Sequence, residues 1–370
     1  MAERVFNFSP GPAALPVTVL DEVARTMGGI PGVGASPLEV SHRGAWFSEV
    51  LGEAKENLCT LLDVPDSHAI VFCQGGATQQ FSMVPMNLLH ADGADGSPAD
   101  LVVTGSWSAK AATEATRLGP ARIAWTDADA GFVRTPTAQE LEGALASDAS
   151  YAFVTTNETI HGVEFDGDPA APDRVPLVAD MSSDFLSRPV DVGRYGLIFA
   201  GAQKNAGPAG VTVVVVRRDL LDRAPDTLPT MLDYRTFVEH DSLYNTPPVF
   251  AIWVLMLVTR WLRDDVGGLE AQAAINDSKA SALYEAIDDS DGFYRGHADP
   301  GSRSHMNVTW RLPSPELDAA FAAAASDHGL IELRGHRSVG GIRASIYNAM
   351  PPEGVQALVA FMRRFRVGHA

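Results

Sequence analysis

The 370-residue chain carries a formal charge of −18, with 46% hydrophobic and 20% charged residues, the balance of a globular protein with a large core. Acidity this strong excludes general nucleic-acid binding, which needs a basic face against phosphate, but leaves room for a small anion wherever cations cluster. Lysine occurs only as Lys55, Lys110, Lys204 and Lys279, so a search for an amine nucleophile has four positions to weigh, and the other cations are arginines.

The opening residues lack the apolar core of a signal peptide, and Phe6-Asn7-Phe8-Ser9-Pro10-Gly11-Pro12-Ala13 is too rich in proline and glycine for a helix, which predicts an extended arm. Helices are predicted over residues 16–27 and 45–62, the second with apolar residues at helical spacing and Lys55 on its solvated face. Cys59 and Cys73 lie in apolar contexts with no ligand cluster nearby, and are read as buried, reduced thiols of a cytoplasmic protein.

From residue 69 the pattern alternates. Strands are predicted over 69–73, 101–104, 121–125, 151–155, 175–179, 197–200 and 211–216, with helices over 79–89, 107–118 and 138–145. Such alternation builds an α/β fold with a mainly parallel sheet between helices, and ligands bind beyond the carboxyl ends of its strands. The apolar run 249–258 reaches roughly half the ~20 residues of a membrane span and leads into Arg260 and Arg263, so it reads as a buried helix. A long helix over 269–287 follows. The Asp-, Gly- and Pro-rich stretch 288–301 then borders a C-terminal α+β piece, with strands near 305–310 and 341–346 and helices near 316–328 and 352–364.

Five features carry chemistry. Lys204 sits in a small-residue turn between two apolar runs; a lysine held there loses water and becomes a usable amine nucleophile, although a solvated loop lysine fits the same spacing. Gly75-Gly76-Ala77-Thr78 follows a strand and opens a helix, where free backbone N–H groups and the Thr78 hydroxyl can cradle a phosphate; a turn shaped by glycine alone is the other reading. Asp180 ends a buried strand and needs a cationic partner, or caps a turn. With Lys204 and the cradle it completes the imine, ring-nitrogen and phosphate contacts that a pyridoxal phosphate site requires. Trp107, at a helix start, can stack on the ring or fill the core. Cations gather at His42-Arg43 and in Arg334-Gly335-His336-Arg337 through Arg343, either as surface pairs or as forks for carboxylate and phosphate.

The ordered motifs Phe6-Asn7-Phe8-Ser9-Pro10-Gly11-Pro12, Ser41-His42-Arg43-Gly44, Gly75-Gly76-Ala77-Thr78, Asn157-Glu158-Thr159-Ile160-His161-Gly162, Ala179-Asp180-Met181-Ser182-Ser183, Tyr195-Gly196 through Lys204-Asn205 and Tyr244-Asn245-Thr246-Pro247-Pro248 run nearly end to end. They resemble the class V aminotransferases, pyridoxal-phosphate enzymes of fold type I. The resemblance implies a large cofactor-binding domain over residues 16–265, whose mixed, mainly parallel seven-stranded sheet is sandwiched by helices. A smaller α+β domain over 266–370 would carry the N-terminal arm, 1–15.

It also implies that Lys204 binds pyridoxal 5′-phosphate covalently, that Asp180 holds the ring nitrogen and that Trp107 stacks on the ring. Ala77, Thr78, Thr159 and Gln203 would line the cofactor and its phosphate, joined by Asn245 and Thr246 from the other subunit of a homodimer. His42, Arg43 and Arg343 would meet the substrate anions, with His336 and Arg337 also at the substrate site, across the interface. The implied substrates are L-glutamate and 3-phosphohydroxypyruvate, giving 2-oxoglutarate and O-phospho-L-serine for serine biosynthesis; a phosphorylated threonine precursor of vitamin B6 shares the chemistry. Some family members carry arginine where Thr78 stands, so hydroxyl and backbone donors would serve the phosphate here. A class V aminotransferase with another acceptor, such as glyoxylate, shares fold and mechanism. A cysteine desulfurase needs a cysteine in the C-terminal half, and a non-catalytic pyridoxal-phosphate sensor needs a basic DNA-reading module; the sequence offers neither.

Overall fold

The computed structural model describes residues 4–89 and 97–369; residues 1–3, where the signal-peptide and arm readings begin, lie outside the described residues, as does residue 370. Seven strands form the central sheet: β1 (His68–Cys73), β2 (Ala99–Val103), β3 (Ala121–Thr126), β4 (Ala152–Thr155), β5 (Leu177–Asp180), β6 (Leu197–Gly201) and β7 (Thr212–Arg217). Their order is β1-β7-β6-β5-β4-β2-β3. All neighbours run parallel except β7, which is antiparallel to both β6 and β1. The reason is the link: Gly201 to Thr212 is shorter than the dozen or so residues that a parallel crossover needs.

The pleat divides the core in two. Ile198, Ala200, Val213 and Val215 face one cluster, filled by α2 (Ala45–Leu62) and α7 (Val249–Trp261). Leu197, Phe199, Val214 and Val216 face the other, under α3 (Gly76–Leu88) and α4 (Ser106–Leu118). Period-two alternation in a run of valines thus serves both faces of one sheet. α7 is the buried helix expected, and no helix among the described residues is long and apolar enough to cross a membrane.

Two expectations fail on α2. Cys59 is exposed, while Cys73 is buried as expected. Cys59 follows Leu58 on the helix, but the core side is already taken by Leu51, Ala54, Leu58 and Leu62, and the 100° step per residue turns the thiol outward. Lys55 is not free on a solvated face: it is half-buried and its ammonium pairs with Asp241.

A third cluster gathers α8 (Leu269–Asp288), β8 (Asn307–Arg311), α9 (Pro315–Asp327), β9 (Ile342–Ser345) and α10 (Pro352–His369). Here β8 and β9 pair antiparallel, with Thr309 opposite Arg343. The N-terminal arm is extended, as expected, and anchored twice. Phe6 and Asn7 pair parallel with Leu330 and Ile331, placing Phe8 in the third cluster, and the Ala13 N–H donates to the Gln203 carbonyl at 2.9 Å. The arm therefore joins the C-terminal cluster to the turn that holds Lys204.

Candidate active site

The turn after β6 carries Lys204 to the carboxyl end of the sheet. Its Nζ donates to Thr159 Oγ1 at 2.6 Å and stands 5.7 Å from the Trp107 ring centroid. The residue as a whole is half-buried. Burial pushes the amine down to about 8, and Arg343 acts in the same direction, while the charges of Asp180 and Glu158 oppose both.

Asp180 ends the adjacent β5 and is 4% exposed. Its Oδ1 accepts the Ser182 N–H at 2.9 Å. Burial raises this carboxyl, against the pull of the Lys204 charge. A buried acid beside a buried amine is a pair of groups pushed toward their neutral forms, a frequent mark of a reactive site.

The two helix N-termini at this end of the sheet differ. At α3, Gly75 occupies the cap position with φ +85°, and no side chain caps the helix. A Cβ on Gly75 would lie 2.0 Å from Gln79 Oε1, so both the turn and its close approach require glycine. The first-turn amides of Gly76, Ala77 and Thr78 are left for an anion. At α4, by contrast, the amides of Trp107 and Ser108 donate to Glu158. The phosphate cradle read from the sequence is therefore the one open helix terminus of the two.

Thr159 is the hub of the site. Its hydroxyl accepts from Lys204, and its carbonyl accepts from Arg343 Nη1 at 3.4 Å. Arg343 is 5% exposed, its Nε has no hydrogen-bond partner, and no carboxylate pairs with it among the described residues. Burial lowers its pKa, the opposite of what a salt bridge does. His336 lies close enough for Arg343, Arg337 and Lys110 to act on it: after burial, their charges lower its pKa. Its Nδ1 shares a hydrogen with Ser338 Oγ at 2.7 Å, and Arg337 is exposed.

The side chains of the remaining site candidates make no hydrogen bond to Lys204, Thr159 or Arg343 among the described residues. His42 is half-buried and Arg43 exposed, and neither has a hydrogen bond or ion pair to the residues above; the Arg43 backbone N–H donates to Ser41 Oγ at 3.2 Å. Asn245 Nδ2 reaches Gln74 Oε1 at 3.4 Å, at the edge of the cradle of its own chain, and Thr246 is exposed. Gln203 is half-buried, tied to the arm through its carbonyl.

Sequence reasoning missed Glu158, a member of the strand exit Thr156-Asn157-Glu158-Thr159. It also missed Asn205, whose Oδ1 accepts the Asn348 N–H at 3.0 Å, and Lys279, buried under the loop after β9. For Lys279 a signal existed: Gln272, Asn276 and Lys279 share the buried face of α8 with Leu269, Leu283 and Ile287, and polar residues on an apolar stripe demand partners.

The family model described as Aminotransferase class-V matches residues 5–358. The chain belongs to the class V aminotransferases. Within that family it is 53% identical to the phosphoserine aminotransferase of Rhodopirellula baltica over 363 residues, covering 98% of this chain and 95% of that protein. The phosphoserine aminotransferase from Bacillus circulans subsp. alkalophilus is 47% identical with a TM-score of 0.95, each chain covered over 100% of its length. The pyridoxal-phosphate-bound phosphoserine aminotransferase from Trichomonas vaginalis is 40% identical with a TM-score of 0.89, covering 97% of this chain and 100% of that one. The seven-stranded α/β sheet is thus the fold of the pyridoxal-phosphate-dependent aminotransferases, and the chain is an aminotransferase.

Proposed function

We propose that this class V aminotransferase interconverts L-glutamate plus 3-phosphohydroxypyruvate with 2-oxoglutarate plus O-phospho-L-serine, using pyridoxal 5′-phosphate. The observation that carries the substrate reading is Arg343, a buried guanidinium without a counter-ion among the described residues, which shares Thr159 with the nucleophilic lysine. A cation kept dry and unpaired awaits an anionic ligand. The names of the relatives favour the phosphorylated acceptor over glyoxylate.

The residues present fit the cofactor. The uncapped first turn of α3 suits its phosphate, with Ala77 and Thr78 adding backbone and hydroxyl donors. The buried Asp180 carboxylate suits a protonated ring nitrogen, Lys204 the aldehyde, and Trp107, Thr159 and Gln203 the ring and its edge. When bound, the group supplies an electron sink for bond breaking at the substrate α-carbon. The protein does the rest. A cationic ring nitrogen would favour the charged form of Asp180, and Arg343 would orient the substrate carboxylate through its fork. Once the substrate amine has displaced it from the aldehyde, Lys204 Nζ would carry a proton between the substrate α-carbon and the cofactor, away from that carbon with one substrate and back to it with the other.

The proposed assembly is a cytoplasmic homodimer. His42, Arg43, Asn245 and Thr246 lie at or near the surface and make no hydrogen bond to Lys204, Thr159 or Arg343 among the described residues, which supports their being free to reach a partner's site, with His336 and Arg337 at the same interface. The division into 16–265 and a smaller unit of 266–370 plus the arm is supported by the separate C-terminal cluster that contains Phe8. Free Cys59 and Cys73 suit a reducing compartment. Serine biosynthesis is the proposed role, and a phosphorylated hydroxythreonine of vitamin B6 synthesis offers the same anion to Arg343.

The deciding experiment follows the visible band of the loaded enzyme. L-Glutamate should bleach it, and 3-phosphohydroxypyruvate should restore it. A band that ignores glutamate and answers to alanine, or that glyoxylate restores and the phosphorylated acid does not, sinks the substrate assignment.

A further inference from the structure

Glu158 is fully buried, at 0% exposure, and capped helices do not ordinarily need a buried acid. Serine or aspartate at the cap position serves a helix start without drying out a distant charge. Here the cap position is Gly105, and the carboxylate arrives from the strand exit after β4. Its Oε2 accepts the Trp107 N–H at 3.1 Å; its Oε1 accepts the Ser108 N–H at 2.8 Å and the Ser108 hydroxyl at 2.6 Å. Gly105 makes the approach possible, because a Cβ there would stand 2.4 Å from Glu158 Cδ. Burial raises the pKa of this carboxyl, while the three donors and the positive end of α4 pull it back toward the carboxylate.

The contact joins two parts of the site that the chain otherwise leaves separate. On one side is Trp107, whose indole Nε1 is buried with no partner among the described residues and whose ring faces the Lys204 ammonium. On the other is Thr159, the next residue after Glu158, whose hydroxyl receives Lys204. We propose that Glu158 is a positioning residue of this active site: its carboxylate fixes the first turn of α4 and with it the Trp107 ring, in register with Thr159 and Lys204. The proposal rests on the reading of Trp107 as the residue that stacks on the cofactor. A second consequence concerns charge. A nearby carboxylate favours the ammonium form of Lys204, in agreement with the direction in which Glu158 acts on that group, so its neutralisation must lower the pH at which the amine becomes free.

Glu158→Gln tests this, since it keeps the volume and one accepting oxygen but turns an amide N–H toward helix donors. In the variant, the dissociation constant for pyridoxal 5′-phosphate, read by equilibrium dialysis, should rise roughly tenfold, the effect of losing a charged hydrogen bond. In the cofactor-free protein, acylation of Lys204 followed peptide by peptide should set in at lower pH than in the unaltered protein. Glu158→Asp retains the charge with a shorter reach, so it should keep the Lys204 profile while still weakening the cofactor; it also carries the test if the Gln variant fails to fold. Unaltered affinity together with an unaltered Lys204 profile in Glu158→Gln would overturn the proposal. Trp107→Leu, which keeps an apolar side chain without an aromatic face, separates the two readings: unaltered cofactor affinity there removes the stacking role of Trp107, whereas the Lys204 profile in Glu158→Gln still judges Glu158.

Discussion

Lys204 owes its reactivity to its neighbours. Burial and Arg343 disfavour its charge, Asp180 and Glu158 favour it, and the balance leaves the amine at about 8. In the cofactor-free protein the free amine is the form that attacks an aldehyde. Capture of pyridoxal phosphate, trapped with borohydride and counted by mass spectrometry, should therefore climb about tenfold per pH unit below that value and level off above it. A curve still climbing past about pH 10 would mark an ordinary lysine. Lys204 and Asp180 were legible because each interrupts or ends an apolar run, where a charged group stands out. Glu158 was not: its partners Trp107 and Ser108 lie in another helix, and a glutamate between Asn157 and Thr159 looks like any polar turn.

Among the elements, the sheet strands, α2, α7 and the C-terminal helices follow directly from apolar periodicity, since burial on one or both faces imposes it. The reversed direction of β7 does not show in its valines, which suit either pairing; it is written in the short link that precedes it. Lys279 shows what periodicity hides. Its ammonium donates to the carbonyls of Ile346, Tyr347 and Met350 at 2.8, 2.8 and 3.1 Å, so one cation gathers the loop between β9, which bears Arg343, and α10. Burial pushes this amine down to about 7, and the three acceptors favour its charged form in return. Lys279→Met should strand those carbonyls and destabilise the fold by roughly 3 kcal/mol, read as a lower urea midpoint. A midpoint within error of the unaltered protein would show that the loop holds without the clamp.

The whole molecule raises the question of who completes the site. If Arg43 of one subunit serves the Lys204 of the other, then Lys204→Ala and Arg43→Ala proteins, each inactive or nearly so, should complement when unfolded and refolded together. The mixed dimer holds one doubly altered site and one intact site, so a random mixture should recover about a quarter of full activity. No recovery would place both residues in one subunit's site. Whole-chain organisation was legible as far as the strand and helix order, while the joining of the arm to both the C-terminal cluster and the Gln203 carbonyl was not, because its bonds are backbone bonds that no side-chain pattern announces. The short link between β6 and β7 also sets an order in time. Strands joined by one turn close their loop at the least entropic penalty, whereas β1, which ends at the phosphate cradle, must return from more than a hundred residues upstream to pair with β7. Loop-closure entropy thus favours forming the perch of the nucleophile first, with the strand that leads to the anion's seat joining the sheet afterwards.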